Sequence, residues 1–539
     1  MFNKTKNLKN ARAADVEVAQ AEAPHLQRVE WTKEPGLRKL YFWAFIICIA
    51  SATTGYDGSM LNNLRILPSF KTFFSDPSGN TLGILTALYS IGSIASLPVT
   101  PYIADHWGRK AAITCGCVIM IAGAVVQTCS KHPNELRMFM AGRFFMGFGN
   151  SLAQLSSPLL LAELCHPQHR GRVTAIYNCL WNVGAIICTW LTFGTKRIDS
   201  DWSWRVPALG QALPSIVQLA FIFFIPESPR WLISKERNEE ALQILGKYHA
   251  NGDINNATVQ FEYQEIKETL RLEFMYQKTS SYLDFFKTRG NRYRLLLLCS
   301  LGLFSQWSGN GLVSYYATDV YKSIGITDPD TQLGINGGLT ILSLIVSVSC
   351  ALLVDRVGRR PLFLAATASM CATFVIWTIC SSQQEAKQSK AAGRAVIAMI
   401  WLFSVAYALA WSGLLVAYTV EILPFKIRAK GLMIMNFWIQ VALTINQYVN
   451  PLGFDHLKPT WKLYTIYACW IAFELVFVFF FYIETKGPTL EEIAKIFDGD
   501  DAQVADVNLD KVGSATHTSG YEKNDVAVNE LKVQDSNKY

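Results

Sequence analysis

Charge is scarce in this 539-residue chain. Its 49 Lys and Arg and 42 Asp and Glu make up 17% of the sequence, against about 25% in soluble domains. A soluble protein of this length splits into several domains, each with a charged surface, and that much charge is missing. Metal-ligand spacing is missing too. The 12 cysteines form no CxxC pair, and most fall inside apolar runs, where a small packing residue is the plain reading. No nucleophile elbow or phosphate loop occurs, so nothing points to an enzyme, a metal or a cofactor. No basic, aromatic-interleaved patch points to nucleic acid. Residues 1–39 are polar and charged, unlike a cleavable leader.

What is present is apolar. Hydrophobic residues make up 51%, with 31 Phe, 21 Tyr and 15 Trp. The charges bunch, and between the bunches lie runs of about twenty residues, long enough to cross a roughly 30 Å hydrocarbon core. The chain reads as an all-α membrane protein embedded in a lipid bilayer. Twelve spans are predicted near 40–60, 82–103, 111–130, 137–162, 173–194, 206–226, 295–319, 332–354, 361–383, 395–420, 431–451 and 463–483. Apart from their ends, the charged side chains inside these runs are Asp57, Arg143 and Glu474. The loops 105–110, 166–172, 355–360 and 424–430 carry ten Lys or Arg. Positive charge of this kind places them, and both termini, in the cytosol. The domains are then a tail (1–39), a six-helix half (40–226), a linker with amphipathic helices near 236–249 and 261–277 (227–294), a second six-helix half (295–483) and a second tail (484–539).

The halves repeat. Asp105-His-Trp-Gly-Arg-Lys110 follows the second run, and Asp355-Arg-Val-Gly-Arg-Arg360 follows the eighth, 250 residues later. Glu163 precedes Arg170 by seven, as Glu421 precedes Arg428, at an offset of 258. Pro226-Glu227 closes the sixth run and Ile483-Glu484 the twelfth, at an offset of 257. Two six-helix halves related this way make a transporter with a midplane site between them. The Gly of each D-x-x-G-R-[RK] loop allows a tight turn. Asp105, Arg109, Asp355 and Arg359 are expected to pair with each other and with nearby helix ends. Glu163 with Arg170, and Glu421 with Arg428, extend this to one charge network, with Glu227, Arg230 and Glu484 beside it. Such a network can latch the inner ends of the halves while the outside is open.

These motifs resemble the major facilitator superfamily, sugar porter branch, over about 40–495. The resemblance rests on GRFFMGFG (142–149), the paired loops, PESPRWL (226–232), SGNGLVSYY (308–316) and ETKGPTLEEI (484–493). GYDGSM (55–60), YNCLWNVGA (177–185), FSQWSGNG (304–311) and EILPFKIRAKG (421–431) look like fungal lactose and cellodextrin permeases. The departures are specific. Ser305 and Gln306 stand where hexose porters usually have two Gln, Gly311 replaces a later Asn, Asn178 stands for a Gln, and Val416 stands where many have a Trp.

Asp57 is the candidate proton-coupling group, because a carboxylate inside a span is costly and functional by default. Arg143 is its expected partner, pairing with the deprotonated form. The resemblance adds that proton-coupled sugar porters carry an Asp here. One charge crossing 100 mV is worth about 2.3 kcal/mol and one pH unit about 1.4 kcal/mol, enough for several-hundred-fold accumulation. A neutral sugar wants amides for its hydroxyls and an aromatic ring for its C–H face. The candidates are Asn178, Gln306, Asn310, Tyr315, Tyr316, Trp411, Asn436, Trp438 and Gln440. Asn182, Asn336, Asn446 and Gln447 are as well suited to joining helices. The expected function is proton-coupled import of a neutral sugar, a disaccharide such as lactose or cellobiose before a hexose or pentose, by a chain working as a monomer in the plasma membrane. A uniporter, a non-transporting sugar sensor and an exporter of a secondary metabolite stay open.

Overall fold

The computed structural model describes residues 31–279, 281–353, 357–486, 493 and 496–498. Among them the architecture is helical throughout, and twelve spans follow in order. The first is Pro35–Leu64, the third Arg109–Thr128, the fourth Glu135–Leu164 and the fifth Arg170–Thr195. The eighth is Pro329–Leu353, the ninth Arg359–Lys387, the eleventh Phe425–His456 and the twelfth Trp461–Phe481. Four spans are broken. The second is Gly79–Ser96 with Val99–His106, bent by 44° beside Pro98, whose missing N–H weakens the ladder. The sixth is Trp202–Gly210 with Ala212–Ile222, the seventh Arg289–Trp307 with Asn310–Ser323, and the tenth Lys390–Ala408 with Leu415–Ile422.

Seven of these helices are long and apolar enough to cross a membrane on those two criteria alone, or eight with the bent second span. The fourth and eleventh are long but carry more polar side chains, and the sixth and seventh are divided. Outward faces are apolar: Leu213, Phe223, Ile345 and Phe480 are exposed, as a hydrocarbon solvent requires.

Between the sixth and seventh spans lie Pro229–Ser234, Asn238–His249, Ala257–Thr279 and Asp284–Lys287. The linker is anchored to the bundle by His249. Its Nε2 donates to the carbonyl of Leu164, at the end of the fourth span, at 3.1 Å. Its Nδ1 lies 2.7 Å from Glu262 Oε2. The face of the molecule that carries this linker is called the linker end below, and the opposite face the far end.

Each half has its own apolar core, around Met120 and Met146 in the first and Phe304, Phe363 and Ile471 in the second. A third core joins the halves at the far end, where Tyr316 and Leu333 pack with Phe70 and Trp204. The first and fifth spans meet backbone to backbone. A Cβ on Gly55 would overlap the carbonyl of Trp181, and one on Gly184 that of Ala52. Small residues let membrane helices approach this closely.

Candidate functional site

A cavity of about 1450 Å³ lies between the halves. It runs from Asn62, Asn63 and Asn310 down to Gln168 and Arg359 at the linker end. At the far end the halves are joined. Arg65 donates to Asp319 through both terminal nitrogens, at 2.9 and 3.0 Å. Ser90 donates to Gln447 Oε1 at 2.7 Å, Tyr448 to Asn80 Oδ1 at 2.7 Å, and Thr318 to the carbonyl of Asn62 at 3.4 Å. The site is thus closed at the far end and accessible from the linker end.

Of the residues the sequence singled out for the sugar, Asn178, Gln306, Asn310, Tyr315, Asn436 and Gln440 line this cavity. Asn310 donates from Nδ2 to the Tyr407 hydroxyl at 3.2 Å, and its Oδ1 is buried without a partner. Three others stand elsewhere. Tyr316 is fully buried in the far-end closure and donates to the carbonyl of Gln447 at 2.5 Å. The seventh span kinks at this residue (φ −130°), which turns it off the cavity face. Trp411 touches the cavity wall, but its side chain is fully buried and its indole N–H donates to Thr367 Oγ1 at 3.1 Å. Trp438 packs over Gly302 of the seventh span. Asn436, Ile439, Gln440 and Leu443 form the cavity-facing stripe of the eleventh span, at the i, i+3, i+4, i+7 spacing of one helix face. Trp438 falls off that stripe.

Other cavity groups escaped sequence reading. Thr54 Oγ1 lies 2.9 Å from Asn150 Oδ1 and 3.0 Å from Gln154 Oε1, and the Tyr177 hydroxyl donates to Gln154 Oε1 at 2.9 Å. Their signal was helical spacing from the charged pair. Thr54 is three residues before Asp57, and Asn150 and Gln154 are seven and eleven after Arg143. The helix-joining reading fits four amides. Asn182 donates to Ser347 at 3.1 Å, Asn336 to Asn63 at 3.3 Å and Asn446 to the carbonyl of Gln306 at 2.5 Å, while Gln447 accepts from Ser90.

Asp57 is fully buried, and neither carboxyl oxygen has a hydrogen-bond partner. Arg143 is within Coulombic reach but not in direct contact, so the expected ion pair is not formed in this conformation. Its guanidinium lies over the ring of Tyr89, 4.8 Å from the centroid, a cation–π arrangement. Tyr89 itself faces the cavity.

At the linker end the repeated motifs build repeated geometry. Arg109 donates from Nε to Glu163 at 3.2 Å and from Nη1 to Asp105 at 3.1 Å. Arg359 donates to Glu421 at 3.2 and 3.0 Å. Glu227 accepts from the backbone N–H groups of Arg109 and Lys110, and Glu484 from those of Arg359 and Arg360. Burial holds the Glu227 carboxyl above its usual range, and hydrogen bonds from the Ser228, Lys110 and Arg109 N–H groups offset this only in part. The expected Glu421–Arg428 pairing is therefore corrected. Glu163 and Glu421 pair with the arginines of the loops, which lie across from them on the neighbouring helix. Arg428 donates to the carbonyl of Leu423 at 3.4 and 3.3 Å. Arg170 opens the fifth span and Arg230 lies on Pro229–Ser234, whereas Asp355 and the Arg170 side chain fall outside the described residues. The loop glycines are also explained differently. A Cβ on Gly108 would strike the Glu227 carboxylate, and one on Gly358 that of Glu484. Only Gly108 needs a left-handed backbone (φ +101°). The shared requirement is close approach of a carboxylate.

Similarity to known proteins agrees with this arrangement. Residues 43–497 match the family model described as sugar (and other) transporter. A high-affinity glucose transporter of Kluyveromyces lactis is 27% identical over 87% of this chain and 86% of its own length. A probable quinate permease of Aspergillus flavus is 28% identical over 85% of this chain and 88% of its own. Among solved structures, a partially occluded inward-open form of the xylose transporter XylE from E. coli superposes with a TM-score of 0.70 at 22% identity. It covers 84% of this chain and 99% of that one. With twelve spans in two halves around a central polar cavity, and a family match across most of its length, this chain belongs to the sugar transporter family of the major facilitator superfamily and is a multi-pass membrane transporter.

Proposed function

We propose that the chain is a proton-coupled sugar importer that works by alternating access, with its linker end in the cytosol. The carrying observation is Asp57, a carboxyl group buried in the first span, without a hydrogen bond and within Coulombic reach of Arg143. A carboxylate that is paired in one conformation and unpaired in another changes its proton affinity between them. Release of that proton lets Asp57 engage Arg143, and its return frees the pair, so proton and conformation are linked. The solved structure of a proton:xylose symporter with this fold (TM-score 0.69) supports the reading.

The sugar site is assigned to Asn178, Gln306, Asn310, Tyr315, Asn436 and Gln440. Amides dominate this set, and each offers both donor and acceptor to a hydroxyl, which suits a neutral polyol. The size of the cavity suits a disaccharide such as lactose or cellobiose as well as a hexose. The positive charge of the loops at the linker end supports cytosolic termini, and the importing role supports the plasma membrane and a monomer with a complete path.

The test is uptake of labelled lactose, cellobiose and glucose in transporter-null cells, with external pH recorded, for wild type and Asp57→Asn. Sugar-induced alkalinisation that the substitution abolishes is expected. Uptake that ignores both pH and the substitution would make the protein a uniporter.

A further inference from the structure

The second carboxyl group inside the bundle is not used by the mechanism above. Glu474 lies in the twelfth span, is fully buried and is absent from the cavity wall. The titratable groups that face it are Cys371 on the ninth span, Tyr407 on the tenth, Tyr467 on its own helix and Tyr482 just beyond. No Lys, Arg or His among the described residues lies at ion-pair distance from it.

Two groups touch its carboxyl: the Trp470 indole on its own helix, and Ser308, which joins it to the break in the seventh span. Ser308 Oγ is 2.9 Å from Glu474 Oε2 and also within hydrogen-bond distance of the Phe304 carbonyl. Ser308 caps the helix Arg289–Trp307, and Gly309 follows with φ +92°. A Cβ on Gly309 would strike the ring of Phe374, so the turn is fixed tightly in place. The next residue, Asn310, reaches the cavity.

Hydrogen counting assigns the contact. The Ser308 hydroxyl has one hydrogen, and a backbone carbonyl can only accept. If that hydrogen goes to Phe304, Glu474 must donate to Ser308, and only the neutral acid has a hydrogen to give. The reverse arrangement puts a charge in a dry site where the neutral Trp470 indole is the remaining donor and no described Lys, Arg or His is a counter-ion, which is costly. We propose that Glu474 is a positioning residue for the gate: a neutral acid that donates to Ser308 and holds the Ser308–Gly309 break of the seventh span. It carries no proton across the membrane. The inference rests on the alternating-access reading but not on the choice of sugar.

Four variants test it: Glu474→Gln, Glu474→Leu, Ser308→Ala and the pair Ser308→Ala with Glu474→Leu. Glucose, lactose and cellobiose uptake is measured across pH, with surface amounts recorded. Gln retains a donor, so uptake within twofold of wild type and an unchanged pH profile are expected. Leu and the Ser308 variant should each lower the maximal rate at least fivefold with KM within threefold, and the pair should be no worse than the poorer single. A second readout does not need sugar. Leu333, buried under the far-end closure, is replaced by Cys, and labelling by an impermeant maleimide is read above the background of exposed Cys129. Leu at 474 or Ala at 308 should change that labelling more than threefold. A Gln variant that loses accumulation while still exchanging sugar would make Glu474 a proton carrier and overturn the proposal. A Ser308→Ala variant with normal rate and labelling would overturn it too, even if Glu474→Leu fails to reach the surface. Failure of wild type to take up any sugar, with labelling still responsive, would instead sink the importer reading.

Discussion

Arg65 and Asp319 face each other across the two halves, joined by two parallel hydrogen bonds at 2.9 and 3.0 Å. Arg65 ends the first span, Asp319 lies on the far-end part of the seventh, and their side chains are 7% and 19% exposed. The guanidinium also sits 5.9 Å from the ring centre of Tyr316. This pair bridges the halves where the far end closes.

Asp319→Asn should therefore favour opening at the far end. Hydrogen bonds to charged groups contribute about 1.5–3 kcal/mol, or roughly tenfold to a hundredfold in the conformational equilibrium. Increased labelling of a cysteine at Leu333 reports the shift. The reversed pair, Arg65→Asp with Asp319→Arg, should recover at least part of the closed population; no recovery would mean that the pair does not set the balance.

On the proposed coupling, Asp57→Asn should separate exchange from accumulation. The neutral amide should still permit sugar exchange across the membrane at equal concentrations, because neither half-cycle then requires a proton to leave. Accumulation should fall to the level of a facilitator. In wild type, each unit of external acidification adds about 1.4 kcal/mol of driving force, close to tenfold in the limiting sugar ratio. The variant should be flat over the same range.

Gly108→Ala and Gly358→Ala should both destabilise the protein, by about 1–3 kcal/mol from overpacking against a half-buried carboxylate. Gly108→Ala should be the worse, since it adds a left-handed backbone to the clash. Thermal unfolding in detergent gives the comparison. Equal midpoints would remove the backbone argument.

Alanine at Asn178, Gln306 or Asn436 should raise KM about fivefold to tenfold each, as expected for loss of one hydrogen bond worth about 1–1.5 kcal/mol. Phe at Tyr316 should instead alter the maximal rate, because its hydroxyl serves the far-end closure. A KM effect at Tyr316 with none at Asn178 would misplace the sugar.

Much of the molecule was legible before its structure. The spans follow from apolar runs, and the repeat from three motif pairs at nearly one spacing. What was not legible is direction. The eleventh span offers Asn436, Trp438 and Gln440 within five residues, and only its rotation decides that Trp438 turns to Gly302. Tyr315 and Tyr316 are adjacent in sequence, yet a kink sends one to the cavity and the other to the closure. Glu421 has two arginines within plausible reach, and it pairs with Arg359 while Arg428, nearer in sequence, bonds the Leu423 carbonyl. The carboxylates of Glu227 and Glu484 bind backbone N–H groups, a contact that no pattern of side chains announces.

The twin carboxylate clasps at the linker end have a thermodynamic consequence. Glu163 with Arg109, and Glu421 with Arg359, each close their charges inside one half. Parting the halves at that end does not by itself divide either pair. At the far end the opposite holds, because separation must divide Arg65 from Asp319. The two ends are therefore unlike in kind: opening the far end divides a charge pair between the halves, and opening the linker end divides neither clasp.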